Sequence, residues 1–373
     1  MVVPRLLQQL DQAFAQSESS LERECLKAER VVAMARLGMM VEARMALGQV
    51  KAQLKRQVEP RLQGWATYAE AVLTYTGDHH APSIRGLFVQ AKQLALTAGD
   101  QALQAHTSVW LASLDFQEGL WTAFADELIW SMPELCLASS ARLELLMARA
   151  YSYAGRPEQS AGYYRAAHRL AALDGDTAMI GAIISTRMIF QTDALALEDA
   201  FGRCAPEAAR RVMIEVESSV NFNAGIGKAD RVSWNPMLKA MVCMAMKRYE
   251  EATALLETHM RNAMADGLGA HSAYFHAARA WCLWQVGEQE AARRDLVTAR
   301  AHVADMPDPD DLAATHARIA SVMAVMGQAA EAAQHQREAE RQLQWLKHQQ
   351  AELCIQLARV EAERARLLQK SAH

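Results

Sequence analysis

A repeat of 40 residues in the second half of the chain constrains the fold more than any other sequence feature. Alanine recurs in step in three consecutive segments, at Ala240, Ala280 and Ala320 and again at Ala252, Ala292 and Ala332. Gly287 and Gly327 stand between the two alanines of the second and third segments, where a left-handed residue lets the chain turn back. Each segment therefore predicts a helix, a tight turn and an antiparallel helix, with alanines where the two helices pack closely.

The same pattern occurs upstream in ARAYSYAGRPEQSAGYYRAAHRL, residues 148–170, and weaker copies surround Gly38, Gly77 and Gly119. A small residue, a turn glycine seven positions later and an alanine five positions after that resemble the tetratricopeptide repeat (TPR). The resemblance covers most of residues 20–345 and implies an all-α fold, an α-α superhelix of antiparallel helix pairs. The TPR unit is shorter, at about 34 residues, so we expect longer helices or loops in this chain.

The copies divide the chain into four predicted regions. Residues 1–175 hold the first block of TPR-like repeats, and residues 236–342 hold the second, more regular block. Between them, residues 176–235 break the pattern, as an irregular helical segment with a glycine-containing loop at 222–233. Residues 343–373 form the fourth region, which has the pattern of a coiled coil.

This last region carries a seam at alternating intervals of three and four, which is the signature of a heptad repeat. The seam positions are Leu343, Leu346, Gln350, Leu353, Leu357, Val360, Arg364 and Leu367. They predict a parallel homodimeric coiled coil, in which polar Gln350 and Arg364 cost stability and can set the register. The alternative is a long amphipathic helix that packs back on the last repeat. The sequence stops within this helix, so we expect an output domain after His373.

Composition excludes several classes of function. The net charge is only -4, so no overall field attracts nucleic acid or an anionic membrane. The N-terminal sequence MVVPRLLQQLDQAF is not a signal peptide, and no stretch approaches the roughly 20 apolar residues of a membrane span. The six cysteines form no CxxC pair and no zinc pattern, which indicates buried thiols in a reducing compartment. We therefore expect a cytoplasmic protein without nucleic-acid or membrane partners.

Motifs for catalysis and metal binding are weak. The segment Gly225–Lys228 lacks the upstream glycine and the following Ser or Thr of a phosphate-binding loop. Residues 78–80, Asp-His-His, have no further ligand at helical spacing, and His271 and His276 do not share a helix face because they are five apart. We expect no catalytic residues, no metal and no cofactor in this chain, and hence no enzyme.

In a solenoid of helix pairs, the first helix of each pair lines the concave face. The predicted groove positions on these helices are Met237, Met241, Met244, Tyr274, Trp281, Trp284, Arg142, Arg149 and Tyr153. Methionines and tryptophans offer an adaptable apolar surface to a peptide, a protein or a small molecule, and arginines suit a carboxylate. The alternatives are that the apolar residues fill the core between repeats and that the arginines form a solvated face.

Repeats that run into a long helix resemble the N-terminal regulatory region of bacterial GGDEF-type diguanylate cyclases, and the tail QLARVEAERARLLQKSAH resembles their lead-in helix. The resemblance implies a non-catalytic sensory module that relays ligand binding through a dimeric coiled coil to a cyclase domain. The cyclase signatures themselves are absent from this chain. Two alternatives are a stand-alone TPR scaffold, adaptor or chaperone-like protein, and the sensor region of a transcription regulator.

Overall fold

The computed structural model describes residues 4–56, 58–225 and 233–371, and within these ranges the chain is helical and forms no β-strand. The predicted all-α fold is thereby confirmed. Several helices begin where the sequence indicates a start. Pro60 and Pro157, for example, occupy the first helical turn, where a missing N–H leaves no intrahelical bond unmade.

The chain divides into two compact units: unit 1 comprises residues 1–183 and 351–373, and unit 2 comprises residues 184–350. The helices that lie wholly in unit 1 are α1 (Arg5–Gln16), α2 (Ser20–Arg36), α3 (Met40–Leu54), α4 (Pro60–Gly77), α5 (Ile84–Ala98), α6 (Gln101–Gln117), α7 (Trp121–Ser131), α8 (Leu137–Tyr153) and α9 (Pro157–Asp174). Helix α10 (Thr177–Ala200) begins in unit 1 and continues into unit 2. Unit 2 then contains α11 (Pro206–Gly225), α12 (Trp234–Ala245), α13 (Tyr249–Ala263), α14 (Ser272–Gln285), α15 (Gln289–His302) and α16 (Pro309–Val325). Helix α17 (Ala329–Ser371) begins in unit 2 and ends in unit 1.

The turns between paired helices have the backbone conformation that the repeat predicts. Gly155, Gly287 and Gly327 join α8 to α9, α14 to α15 and α16 to α17, with φ of +67°, +90° and +80°. Lys247 stands at the same place between α12 and α13 and adopts φ +60°. A side chain with a Cβ in this region costs about 1 kcal/mol relative to glycine, so the first of the three regular copies carries local strain.

Within residues 176–225 the structure has a regular helix pair, where an irregular helical segment was predicted. Helices α10 and α11 are joined by a turn in which Gly202 has φ +69°, and Pro206 begins α11. The pattern was missed because this pair is out of step with the 40-residue spacing. The predicted loop at 222–233 is helical as far as Gly225, and residues 226–232, with most of the predicted Gly225–Lys228 segment, lie outside the described residues.

Helix α10 is long and apolar enough to cross a membrane by length and composition alone, with a mean hydropathy of 1.2. The expectation that no segment approaches this length was therefore too strict. Its Met188 belongs to the apolar core of unit 2, and two of its charged groups are paired with residues of other helices. Arg187 donates to Glu215 at 2.7 Å, and Asp199 accepts from Arg318 at 2.5 Å. In this structure 33% of the apolar stretch of α10 is buried.

Candidate ligand-binding face

The methionines predicted to line a groove lie in the core of unit 2. Met237, Met241 and Met244 on α12 are 0–3% exposed. Ala196 and Ala200 on α10 border the same small void as Met241 and Met244. Small side chains on α10 therefore let this helix cover the face of α12 that was expected to be open. For these three residues the structure corresponds to the alternative interpretation, core packing.

The aromatic positions of unit 2 are shielded in a similar way. Tyr274 is buried and borders, with Arg318, a void of about 10 Å³, which is room for about one water molecule. The Trp281 ring lies 5.4 Å from the guanidinium carbon of Arg318, whose charge is paired with Asp199. Trp284 is half-buried. Tyr274 therefore forms part of the packed interior, whereas Trp281 and Trp284 keep part of their surface accessible.

The upstream groove positions lie on a partly open face of unit 1. Arg142, Arg149 and Tyr153 project from α8 and are half-buried. The guanidinium carbon of Arg142 lies 3.9 Å from the centre of the Trp110 ring on α6, and that of Arg149 lies 5.1 Å from the Phe116 ring. We call this surface the inner face of unit 1 and define it by Glu29, Tyr68, Tyr75, His106, Trp110, Phe116, Arg142, Arg149 and Tyr153. It brings together helices α2, α4, α6 and α8.

Aromatic rings from α4 and α6 form the floor of the inner face. The Trp110 indole N–H donates to the Tyr68 hydroxyl at 3.0 Å, and the Tyr75 ring meets Trp110 edge-on at 4.9 Å. Tyr68 also stacks on His106, with ring centres 5.6 Å apart. Because the one polar atom of the indole is satisfied, Trp110 is held in a fixed orientation as a platform for Arg142.

Arg142 carries a positive charge that no carboxylate pairs with among the residues that the structure describes. The neighbouring Arg36, by contrast, pairs with Asp176 at 2.7 Å. Burial and the charge of Arg36 lower the pKa of Arg142 to about 10, so its guanidinium stays charged at neutral pH. A shielded cation without an anionic partner is costly, and a ligand carboxylate would remove that cost.

A second cluster of polar groups lies at the N-terminal end of α8. The Cys136 Sγ is 3.5 Å from His106 Nε2 and 3.2 Å from Ser139 Oγ. Burial would raise the pKa of Cys136, but the hydrogen bond and charge of His106, with help from Ser139, lower it to about 6. The same contact raises the pKa of His106 against the effect of burial. Burial also raises the pKa of the nearby Glu29 to about 7. The contact therefore lets His106 take the Cys136 proton and favours a thiolate beside an imidazolium.

The last part of α17, from residue 351 onward, is held by α8 and α9 within unit 1. Arg364 forms an ion pair with Glu144 on α8. Glu361 accepts hydrogen bonds from the hydroxyls of Tyr151, at 3.1 Å, and Tyr163. Burial and the charge of Glu361 raise the pKa of Tyr151 to about 12. Helix α8 thus contributes both to the inner face and to the contact with the tail.

This arrangement bears on the predicted coiled-coil seam. Four of its apolar positions, Leu346, Leu353, Leu357 and Val360, are 0–4% exposed within the single chain. The other positions, Leu343, Gln350, Arg364 and Leu367, are half-buried. A seam that pairs with a second copy needs these apolar side chains free. In this structure α17 packs on its own chain instead, but its residues from 351 onward lie on α8 and α9 rather than on the last repeat, where the alternative placed them. Homodimerisation stays a prediction.

Among the described residues, unit 2 also has features that could bind a ligand, among them a cleft and a cluster of one histidine with two carboxylates. A cleft of about 580 Å³ lies between α10 and α11, with apolar walls that include Leu195 and Val212. His271 Nε2 lies 3.3 Å from Asp311 Oδ2 and 3.7 Å from Asp308 Oδ2, close enough for these three groups to hold a cation. Neither feature sets an unpaired cation over an aromatic ring, as the inner face does.

The remaining histidines of the sequence analysis have ordinary structural partners. His276 lies 2.9 Å from Asp295, on the next helix. In the turn at residues 78–80, Asp78 accepts the backbone N–H of His80 at 3.0 Å. These contacts explain the residues without a metal.

Several residues of the inner face and of the adjoining polar cluster were not predicted from the sequence, among them Glu29, His106, Trp110 and Cys136. His106 and Trp110 lie one helical turn apart on α6, which precedes the weak repeat copy around Gly119, so their register was not recognised. Cys136 was assigned to the inert buried thiols because its imidazole partner is distant in the sequence. A stripe of polar and aromatic residues at helical spacing on α6 was the available signal.

Comparisons with known proteins bear on the fold. No family model and no curated protein matches this chain. Among solved structures, it is similar to a Rap protein complexed with competence and sporulation factor, with a TM-score of 0.57 and 11% identity over 93% of this chain and 99% of that chain. It is also similar to the apo form of RapI, with a TM-score of 0.46 and 9% identity over 92% of each chain. The first likeness is close enough to identify the fold as a TPR-like helical repeat, and at this identity it shows the fold alone.

Proposed function

We propose that this chain is a non-catalytic regulatory module that binds an acidic peptide on the inner face of unit 1. The observation that carries the proposal is Arg142, a half-buried cation that lies 3.9 Å from the Trp110 ring centre and has no carboxylate partner among the described residues. A ligand carboxylate would pair with Arg142, while the half-buried Tyr75 ring at the edge of the aromatic floor would contact apolar parts of the ligand.

The spacing of the two arginines favours a peptide with two acidic groups. Arg142 and Arg149 are seven residues apart on α8, which is about 10 Å along the helix axis. Three residues of an extended peptide span about the same length. We therefore infer that the preferred ligand carries two carboxylates three residues apart, one of which can be its C-terminus. Arg149 also donates to Ser113 Oγ at 3.3 Å, which orients its guanidinium toward this face.

The likeness to a Rap protein solved with competence and sporulation factor supports binding as the activity of such a fold. Nothing in that likeness transfers a particular ligand to this chain. The class of peptide proposed here is inferred from the charged residues on the inner face of this chain.

The contact between α8 and the tail supports a relay. Arg142 and Arg149 face the inner surface, while Glu144 and Tyr151 of the same helix hold residues 351–371. A ligand that displaces α8 would change its hold on the tail. In the resemblance to diguanylate cyclases, the tail would pass this change to a cyclase domain beyond His373, and pairing of two tails would require the buried seam to be released.

The proposal also covers the cellular location of the protein and two alternative functions. All six cysteines are free, which fits a reducing, cytoplasmic location. The alternatives of a stand-alone scaffold or adaptor, and of a transcription-regulator sensor, share the same binding face. They differ only in what the tail contacts, so the gene sequence that follows His373 distinguishes them.

Selection of peptides from a random library on the full chain tests the binding proposal. We expect enrichment of peptides with two acidic groups at the stated spacing. The double variant Arg142→Gln/Arg149→Gln should bind them at least about tenfold more weakly, because each charge-assisted contact contributes about 1.5–3 kcal/mol. Arg165→Gln/Arg169→Gln, on the exposed side of α9, is the matched control and should bind like the parent. Equal binding by both double variants, or selection of peptides without acidic residues, would contradict the proposal.

A further inference from the structure

We propose that Cys136 is a thiol-modification site, at which the thiol forms a mixed disulfide with a low-molecular-weight disulfide and so alters the inner face of unit 1. The thiol is half-buried rather than enclosed, so a small reagent can reach it. Its partner His106 is buried, stacks on Tyr68 and is therefore fixed in place. A nucleophile paired with a rigidly held base is the arrangement that activates a thiol.

Three groups stabilise the thiolate form of Cys136. His106 Nε2 lies 3.5 Å from Sγ, and Ser139 Oγ lies 3.2 Å from it. Cys136 is also the N-cap residue of α8, a helix of 17 residues, and its side chain accepts the backbone N–H of Ser139. The N-terminus of a helix favours a negative charge at this position. The titratable groups around the pair are Glu29 on α2, Tyr68 on α4, Arg142 on α8 itself and Asp174 on α9.

Other cysteines of the chain provide an internal contrast. Cys25, Cys243 and Cys282 are enclosed, and burial raises their pKa to about 12, 11 and 12. Cys204 is half-buried, as Cys136 is, but burial and the charge of Asp199 raise its pKa. The structure therefore separates Cys136 from Cys204 by charge rather than by access, so Cys204 is the matched internal control.

The chemistry is a thiol–disulfide exchange. The Cys136 thiolate attacks one sulfur of the small disulfide, a new S–S bond forms to Sγ, and the original S–S bond breaks. The second sulfur leaves as a thiolate and takes the proton of the His106 imidazolium. Cys136 is oxidised to the mixed disulfide, the small disulfide is reduced to one free thiol, and His106 becomes neutral.

The effect on the inner face rests on the function proposed above. The adduct would replace a compact ion pair by a bulky group six residues before Arg142 on the same helix. It would obstruct the end of the peptide site that lies nearest to α2. Reduction by a cellular thiol would restore the site, so peptide binding would depend on the redox state of the compartment.

The test measures adduct formation directly, without any peptide. The full chain is incubated with oxidised glutathione from pH 5 to pH 9, and the adduct on each cysteine is quantified by mass spectrometry of proteolytic fragments. A low pKa raises the thiolate fraction but lowers its nucleophilicity, so the advantage at pH 7 is only about twofold to fivefold. At pH 5.5 the same balance predicts that Cys136 reacts at least about tenfold faster than Cys204. Its rate should level off above about pH 6.

Substitution of the base identifies the cause of the reactivity. In His106→Gln the rate at pH 5.5 should fall by about tenfold and the plateau should move above pH 8. If that variant does not fold, Ser139→Ala, which keeps the backbone cap, should shift the profile in the same direction by less. A Cys136 rate that equals the Cys204 rate at pH 5.5, or that is unchanged in a folded His106→Gln, would overturn the proposal. Because the readout is the adduct, a failure of peptide binding would not affect this result. A failure of adduct formation would likewise leave the peptide-binding proposal untouched.

Discussion

Helix α8 of unit 1 and helix α12 of unit 2 occupy the same place in their repeats, but the equivalent face is partly open on α8 and buried on α12. On α12 the face holds Met237, Met241 and Met244, and α10 helps to cover it. On α8 it holds Arg142 and Arg149, which remain half-buried above aromatic rings. The register of a repeat identifies which face of a helix points inward. The neighbouring helices and the residue types then decide whether that face becomes core or binding surface.

Truncation of a methionine in unit 2 should give the largest effect on stability. Met241→Ala removes a buried side chain and leaves a cavity, so we expect the free energy of unfolding to fall by about 2–4 kcal/mol. Met45→Ala, at a position 67% exposed, is the control and should change it by less than about 0.5 kcal/mol. Urea unfolding followed by circular dichroism measures both. If Met241→Ala is as mild as Met45→Ala, the face of α12 is open and the comparison fails.

Loss of the contact between the tail and α8 in unit 1 should have the second-largest effect on stability. Arg364→Ala leaves Glu144 without its ion-pair partner at a site where Glu144 is 5% exposed. We expect a loss of about 1–3 kcal/mol, below the value for a fully buried pair because Arg364 is partly exposed. Arg366→Ala, whose partner Glu363 lies on the exposed face, should unfold like the parent. Equal costs for the two variants would show that the tail is not held on α8 in solution.

The pH-dependent change in the stability of unit 2 should be smaller than the effects of these two variants. His316 Nδ1 lies 2.9 Å from His335 Nδ1, and burial together with the charge of His335 lowers the pKa of His316 to about 4. The unfolded chain takes up this proton near pH 6.5 and the folded chain only near pH 4, so stability falls as the pH drops between these values. Between pH 6.5 and 5 the loss should be about 1 kcal/mol, discounted for partial exposure. Thermal unfolding of His316→Gln should show a flatter profile, whereas His302→Gln should follow the parent.

The smallest expected effect is a gain. Lys247 adopts the left-handed conformation that glycine supplies in the two following copies, at φ +60°. Lys247→Gly should therefore raise the free energy of unfolding by about 0.5–1 kcal/mol, less than the full strain because glycine is more flexible when unfolded. Lys247→Ala removes the charge but keeps the strain, and it should give little gain. Gly287→Ala should act in the opposite direction by about 1 kcal/mol. A gain for Lys247→Ala equal to that for Lys247→Gly would point to the charge instead.

The sequence predicted the helix pairs well because each one depends on local chemistry. Ala280, Gly287 and Ala292 define a helix, a turn and a second helix without reference to the rest of the chain. The pair α10–α11 was missed since its turn at Gly202 is out of step with the regular copies. The seam of α17 was recognised, but a heptad pattern does not say whether its partner is a second chain or the chain's own repeats.

The candidate site was predicted only in part, for the same physical reason. Arg142 and Arg149 were assigned to one face because they share one helix, and the structure brings both near aromatic rings of α6. The pairing of Cys136 with His106, and the position of Trp110 under Arg142, join helices that are distant in the sequence. Such contacts depend on how neighbouring helix pairs pack, and a single sequence does not record that packing.

Hydrogen–deuterium exchange of the full chain, with and without an acidic peptide chosen by selection, tests the central claim most directly. The account predicts slower exchange in α6 and α8 around Trp110 and Arg142, together with altered exchange in residues 351–371, and no change in α12 or α14. Protection confined to α12 and α14, or saturating binding without any protection of α8, would contradict it.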